Sequence, residues 1–417
     1  MKSLTQLQVA NTTVFVRVDF NVPVNDAGQI TEDARIRAAL NTIEYLVQEG
    51  AKVVLASHMG RPKGQVVEKL RLRPVAIRLS ELIGQPVQYV EDCIGEEVEA
   101  AKAAMQPGDV LLLENVRFHE EEKKNNQEFA AELAKGIDVY VQEAFGAIHR
   151  KHATTYALPG MIAEKGHGFL IGEELAALGK VKNDPEQPLV VLVGGMKVSD
   201  KVDVIRNLAP LGDCVLIGGG VANAFMKGLD VPVASSLVES DSVAEGQESV
   251  DYSQVARSIY DQFASEESSI AVTMPDGSSL KKIVVPLDFI AAPSLDTPAE
   301  ECVTVTVGEN EIPEGYMFLD IGPKTIELYA EVLGHAKTVF WNGPMGVFEK
   351  VPFEAGSKDV ATTIADSSAF AVLGGGDTES VVETFGLGRR YAHVSTGGGA
   401  SLTFLADGEL PGLDALE

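Results

Sequence analysis

Short apolar, β-branched runs in the first half of this chain end in basic and polar residues. Val18 leads into Asp19-Phe20-Asn21, and Ala56 into Ser57-His58-Met59-Gly60-Arg61. Leu113 leads into Glu114-Asn115-Val116-Arg117, Val141 leads into a stretch ending in His149-Arg150, and Arg35 opens the helix that follows the first of these loops. Arginine forks match the paired oxygens of carboxylates and phosphates. Arg35, His58, Arg61, Arg117, His149 and Arg150 together describe a pocket for a small polyanion, in which Asp19 and Asn21 can bind hydroxyls.

The corresponding run ends in the second half are glycine-rich. They read Gly194-Gly195-Met196-Lys197 through Lys201, Gly218-Gly219-Gly220, Asn342-Gly343-Pro344, Gly374-Gly375-Gly376-Asp377-Thr378 and Gly397-Gly398-Gly399. Glycine lets backbone approach a ligand closely, and a helix starting behind it offers free N–H groups to phosphate. Lys197 and Lys201 are four apart, the spacing of one face of a helical turn, and can neutralise a moving phosphoryl group. Asp377 offers the hard oxygen that Mg²⁺ prefers. No GxxxxGK[ST] and no GxGxxG occurs, and no Ser-His-Asp, Cys-His or HExxH arrangement is evident.

Strands must hold these loops. Thr13–Val18, Lys52–Ala56, Val110–Leu113 and Val139–Val141 read as strands in the first half. Leu189–Val193, Cys214–Ile217, Ile283–Val285, Thr338–Phe340 and Ala369–Leu373 do so in the second. Stretches of helical spacing alternate with them, such as Arg35–Gln48, Pro74–Ile83 and Asn126–Lys135. Alternation implies parallel sheets covered on both faces, and so many strands imply two α/β units. Open parallel sheets bind ligands beyond their carboxyl ends. A glycine-rich Gly166–Gly172, a helical Glu173–Lys182 and a turn-prone Asn183–Pro188 mark a connecting helix. The acidic, Ser-rich stretch Val231–Asp276 is expected to hold a helix at Tyr252–Ala264 and surface loops.

With 417 residues the chain is too long for one ordinary core. A net charge of −27 argues against nucleic acid and anionic membranes as partners. No apolar run approaches the roughly 20 residues of a membrane span, and the opening MKSLTQLQVANTT lacks a secretory signal's apolar stretch, so a cytoplasmic protein is expected. Three scattered cysteines, Cys93, Cys214 and Cys302, point to idle thiols rather than disulfides or zinc. Several charged residues have a structural reading. Arg17, inside a strand, is expected to hold a loop carboxylate. Glu120–Lys124 reads as a solvated helix start. His119, His152 and His167 read as non-catalytic, His335 and His393 as packing or surface groups. Asp320 and Lys324 stay open between a tight turn and a ligand contact.

The stretches RVDFNVP (17–23), SHMGRPKG (57–64), LLENVRFHEEEKKN (112–125), EAFGAIHRKH (143–152), GGMKVSDK (194–201), IGGG (217–220), DIGPKT (320–325), FWNGPMGVFE (340–349), GGGDT (374–378) and STGGGASL (395–402) resemble, in order, the motifs of the phosphoglycerate kinases. The resemblance implies an α/β fold of two Rossmann-like three-layer domains with parallel sheets facing each other across a hinged cleft. The first, residues 1–168 with 402–417 returning to it, would bind 3-phosphoglycerate. Residues 169–185 would link it to a nucleotide-binding domain at 186–401. The implied reaction is reversible transfer of a phosphoryl group from ATP to the carboxylate of 3-phosphoglycerate, in glycolysis and gluconeogenesis, by a monomer using Mg²⁺. By motif position, Asp19, Phe20, Asn21, Arg35, His58, Met59, Gly60, Arg61, Arg117 and Arg150 would hold the acceptor. Gly195, Lys201, Gly219, Gly220, Asn342, Pro344, Glu349, Gly375, Gly376, Asp377 and Thr378 would hold the nucleotide, with Glu349 on the ribose and Asp377 on the metal. Arg35, Lys197, Lys201, Gly375 and Gly398 would act on the reacting groups.

Three positions depart from the family pattern: Met196 stands for Ala, Gln142-Glu143 for Asn-Asp, and Ile148 for a small residue. Bulk at Met196 is expected to crowd the nucleotide phosphates and slow turnover. A non-catalytic or slowed relative is therefore the alternative, and a nicotinamide dehydrogenase a more distant one, disfavoured by the missing GxGxxG.

Overall fold

A computed structural model describes residues 1–25, 27–239, 250–406 and 410–417. Residues 240–249 of the acidic stretch, and 407–409 near the end, lie outside the described residues. The chain divides into two compact units, Met1–Ala176 with Glu409–Glu417, and Ala177–Gly408.

In the first unit seven strands form one parallel sheet. They are β1 (Lys2–Ser3), β2 (Thr13–Arg17), β3 (Lys52–Ala56), β4 (Val87–Tyr89), β5 (Val110–Leu112), β6 (Val139–Gln142) and β7 (Glu164–His167), in the order β1-β7-β6-β2-β3-β5-β4. Side chains alternate across a strand, and here both faces are apolar. Val14, Val16, Val53, Leu55, Val139 and Val141 enter one core cluster, while Phe15, Val54, Ala56 and Tyr140 enter another. That double burial is why the runs read as continuous rather than alternating. The chain runs outward from β2 in both directions, so the order reverses between β2 and β6.

The second unit holds a six-stranded parallel sheet: β8 (Leu189–Val193), β9 (Cys214–Ile217), β10 (Ile283–Val284), β14 (Thr338–Asn342), β15 (Phe370–Gly374) and β16 (His393–Val394). Its order is β10-β9-β8-β14-β15-β16, reversing between β8 and β14. Beside it lies an antiparallel sheet that the sequence reading did not anticipate, of β11 (Asp288–Ala292), β12 (Val303–Thr306) and β13 (Met317–Ile321) in the order β12-β11-β13. Short strands with mixed exposure, such as Val303–Thr306, carry little apolar signal.

The expected strands and helices fall within a residue or two of those observed, the normal spread of element ends. Asn126 accepts from the Phe129 N–H at 2.8 Å and starts the helix Gln127–Ala134. Asp251 does the same for Tyr252–Phe263 through Ser253. Three expectations need correction. Arg35–Gln48 is two helices, Ala34–Ala38 and Leu40–Gln48, meeting at Ala39. The connecting helix is longer than Glu173–Lys182, running Phe169–Asn183. The helix Gly399–Ala406 packs on Val202–Leu208 and stays with the second unit, so residues 402–406 do not return to the first, whereas 410–417 do.

Candidate active site

At the carboxyl ends of β2, β3, β5 and β6 the first unit gathers its basic residues around Asp19. Arg35 Nη1 lies 3.3 Å from Asp19 Oδ2, and His58 Nδ1 lies 3.8 Å from Asp19 Oδ1. The Asp19 carboxyl is pushed up by burial, but His58, Arg35 and Arg17 outweigh this and hold it below the usual range. Asn21 Oδ1 accepts from the Gly60 N–H at 2.8 Å, and Arg117 Nη1 donates to the Gly60 carbonyl at 2.9 Å. Gly60 has φ +62°, so a side chain there would be strained and would push the Leu70 methyls aside. Phe20 and Met59 are buried. Arg61 and Arg150 are exposed.

The cluster lacks enough acid to neutralise it. Burial, then Arg17 and Arg150, lowers the Arg117 guanidinium to about 10, and its Nε is buried without a partner. Burial and the neighbouring arginines lower His149 to about 4 and His152 to about 3, and both Nδ1 atoms are likewise unpartnered. Buried polar groups left open in this way are costly unless a ligand meets them. The arrangement suits a compact anion.

Sequence reasoning missed the floor of this site. Arg17 is fully buried and bonds Thr154, the Val18 carbonyl and His58, and among the described residues it has no direct carboxylate partner. The expected loop carboxylate is replaced by Glu122, reached through Thr154. Glu122 is itself fully buried, so the reading of Glu120–Lys124 as solvated fails at its third residue. His152 is buried with Nδ1 3.9 Å from Glu122 Oε1.

The second unit has a cavity of about 330 Å³ at its own reversal point, walled by backbone from the loops after β8, β9 and β14. Gly195, Met196, Gly219, Gly220, Pro344 and Glu349 line it, with Asp377 at the edge. Gly195 N–H donates to the Pro344 carbonyl at 2.7 Å, and Gly219 N–H to that of Met345 at 2.9 Å. The opposite wall is apolar and comes from the antiparallel sheet. Phe289, stacked on Phe318 at 4.1 Å, lies beside Met317, Leu319 and Leu295. An apolar slot with close glycine backbone at one end suits a planar base carrying phosphates.

The other expected nucleotide residues lie outside the cavity wall. Thr378 is buried; its Oγ1 accepts from the Gly343 N–H at 2.7 Å and donates to the Gly374 carbonyl at 2.8 Å, tying the two loops together. Asn342 is buried and donates to the Gly374 carbonyl. Gly375, at φ +91°, precedes the helix Gly376–Thr384, and Gly398, at φ +51°, precedes Gly399–Ala406. Lys197 and Lys201 do not share a helix face: bends and a turn run from Gly195 to Lys201, and the helix starts at Val202. Lys197 is exposed. Burial lowers the Lys201 ammonium, with Asp200 and Asp377 pulling it back. Asp320 lines the cavity, but its oxygens accept from Gly356 N–H (2.8 Å) and Ile321 N–H (2.9 Å), so it shapes the loop. Lys324 reaches Glu309 instead.

Elsewhere, Cys93 sits with Asp92 and His119, their ligand atoms within 4.8 Å of one another. His119 Nε2 is bonded to Asp92 at 2.7 Å, and burial pushes the Cys93 thiol well up. The trio is an ion pair beside a core thiol. Among the described residues no helix is long and apolar enough to cross a membrane.

Comparison with known proteins agrees with this geometry. The family model for Phosphoglycerate kinase matches residues 4–408. A phosphoglycerate kinase from Moorella thermoacetica is 47% identical over 99% of this chain and 98% of its own length. One from Herpetosiphon aurantiacus is 47% identical over 96% and 95%. The solved phosphoglycerate kinase of Coxiella burnetii superposes with a TM-score of 0.83 at 33% identity, covering 100% of this chain and 98% of that one. With one family model spanning nearly all of its length, this chain belongs to the phosphoglycerate kinase family.

Proposed function

We infer that this chain transfers a phosphoryl group between ATP and the carboxylate of 3-phosphoglycerate, a step of glycolysis. The observation that carries this reading is the pairing of two sites: an under-neutralised basic cluster around Asp19 and a glycine-walled apolar cavity, each at the reversal point of a parallel sheet.

Phosphoryl transfer needs positioning and charge stabilisation more than covalent help. Arg35, free to exchange Asp19 for a ligand, holds the acceptor carboxylate. Arg61, Arg117 and Arg150 take the phosphate of 3-phosphoglycerate, and Asp19 and Asn21 its hydroxyl. In the cavity the base lies against Phe289 and Leu319, with Glu349 on the ribose. The Gly219 and Gly220 backbone approaches the phosphates. Lys201 grips nucleotide phosphate, and Lys197, which is exposed, follows the phosphoryl group in flight. The N–H groups behind Gly375 and Gly398 stabilise the charge that builds up in transfer. Direct transfer further requires the acceptor oxygen and the γ-phosphorus to meet with water excluded.

Asp377 fits Mg²⁺: it is an exposed carboxylate in the first turn of Gly376–Thr384, at the cavity edge, and Mg²⁺ on a nucleotide takes one or two carboxylates with phosphate and water. When bound, Mg²⁺ neutralises phosphate charge. We read the working form as a cytoplasmic monomer. No feature of the geometry favours the non-catalytic alternative.

The test is ADP formation from Mg-ATP with and without 3-phosphoglycerate, scavenging the acyl phosphate, on the native chain and Lys197→Ala. Turnover that depends on 3-phosphoglycerate and falls about 100-fold or more in the variant supports both the reaction and the lysine's role. Binding of both ligands without turnover overturns the catalytic reading.

A further inference from the structure

Beneath the basic cluster the hydrogen bonds have a fixed direction. A guanidinium can only donate. Arg17 Nε lies 2.8 Å from Thr154 Oγ1, so the hydroxyl oxygen accepts from it. The hydroxyl has one hydrogen, and it goes to Glu122 Oε1 at 2.6 Å. The other Glu122 oxygen accepts from the Thr154 N–H at 2.9 Å. At the far side Arg17 Nη2 lies 3.2 Å from His58 Nδ1. That nitrogen must accept, which leaves the proton of a neutral imidazole on Nε2. Among the described residues Nε2 meets no acceptor. Arg17, Thr154 and Glu122 are all fully buried, and His58 is nearly so.

We propose that Glu122 and Thr154 are positioning residues: they lock Arg17 so that His58 is presented to the anionic substrate as a neutral Nε2–H donor. The proposal rests on the function inferred above and adds to it how His58 acts. Four groups bear on the His58 charge. Asp19 favours protonation, while Arg17, Arg117 and Arg35 oppose it, and burial adds to the opposition. A donor that is neutral throughout keeps its hydrogen bond across the range in which a free imidazole titrates.

The chain accounts for the burial of two charged side chains that touch no ligand. A buried carboxylate is costly alone. Here it accepts two bonds from one threonine and faces Arg17 and Arg117, which offset part of the burial that raises its carboxyl. Threonine is needed because one hydroxyl must accept from Arg17 and donate to Glu122 at the same time. Serine preserves this; valine keeps the shape and removes both bonds.

The experiment is nitrogen NMR of ¹⁵N-histidine-labelled full-length protein without substrate, read from about pH 5 to 8, beside steady-state kinetics. His58, assigned by its loss in His58→Gln, should show a protonated Nε2 and unprotonated Nδ1 throughout. Thr154→Val should give mixed tautomers or a titration in this range, and raise the KM for 3-phosphoglycerate roughly tenfold at little change in kcat. Glu122→Gln should act in the same direction, and Thr154→Ser should restore the native spectrum and KM. A His58 protonated on Nδ1 in the native chain overturns the proposal, as does Thr154→Val with an unchanged spectrum. The spectrum needs no turnover, so an inactive enzyme with the stated tautomer would count against the kinase reading and not against the relay.

Discussion

The buried carboxylate of Glu143 accepts from the Leu170 backbone N–H at 3.1 Å, placing it on the first turn of the helix Phe169–Asn183. Thr42 also donates to it, and Gly168 packs directly against it. The bonds do not offset burial, which raises this carboxyl from the ordinary 4.5 to about 7.

A pH dependence follows. Between about pH 4.5 and 7 the folded chain keeps a proton at Glu143 that the unfolded chain has lost, so stability falls as pH rises through that window and levels off above it. The contribution is on the order of 3 kcal/mol. Glu143→Gln should flatten this part of the curve, seen as a smaller loss of denaturation midpoint between pH 5 and pH 8. An unchanged slope would show that other groups set it.

Ile148 is buried, and its carbonyl accepts from the Gly412 N–H at 2.9 Å. A Cβ on Gly412 would stand 2.9 Å from Ile148 Cβ. Ile148→Ala should cost about 2–4 kcal/mol, and Gly412→Ala about 1–3 kcal/mol through overpacking. Alanine at 148 removes Cγ2, 3.1 Å from the new Cβ, but keeps Cβ and Cα at 2.9 and 3.0 Å, so the double variant should recover only part of the overpacking cost. Urea denaturation of the four proteins checks this; strict additivity would mean that the two side chains do not compete for space.

Met196 is 66% exposed although it lines the cavity. A side chain mostly in water can turn away from a ligand, which weakens the expectation that it crowds the phosphates. Met196→Ala should leave kcat within about twofold. A several-fold rise would restore the crowding idea.

Gly219 has φ +57°, and a Cβ there would lie 2.7 Å from both Gly195 N and the Pro344 carbonyl oxygen. Both neighbours are backbone, so neither can swing aside. Gly219→Ala should cost about 2 kcal/mol or more and blunt the rise in melting temperature that ADP gives the native chain. A full ADP-induced shift would show that the loop tolerates the change and that close backbone approach at this glycine is not needed.

Read alone, the sequence determined the alternation of strands and helices, the two-unit plan and the Arg-, His- and Gly-bearing loops at the strand ends. It could do so because doubly buried strands are continuous apolar runs, and because the Arg, His and Gly motifs follow them locally. Only the tertiary structure decided which motif residues line the cavity and which tie loops together: Asp377 lines it, whereas Thr378 beside it is spent on Gly343 and Gly374. It also decided that Glu122 is buried, that an antiparallel sheet supplies the apolar wall, and that Lys197 and Lys201 do not share a helix. The reason is distance along the chain. Arg17 and Thr154 are 137 residues apart and Arg17 and His58 are 41 apart, and such partners are brought together by strand order rather than by any local pattern.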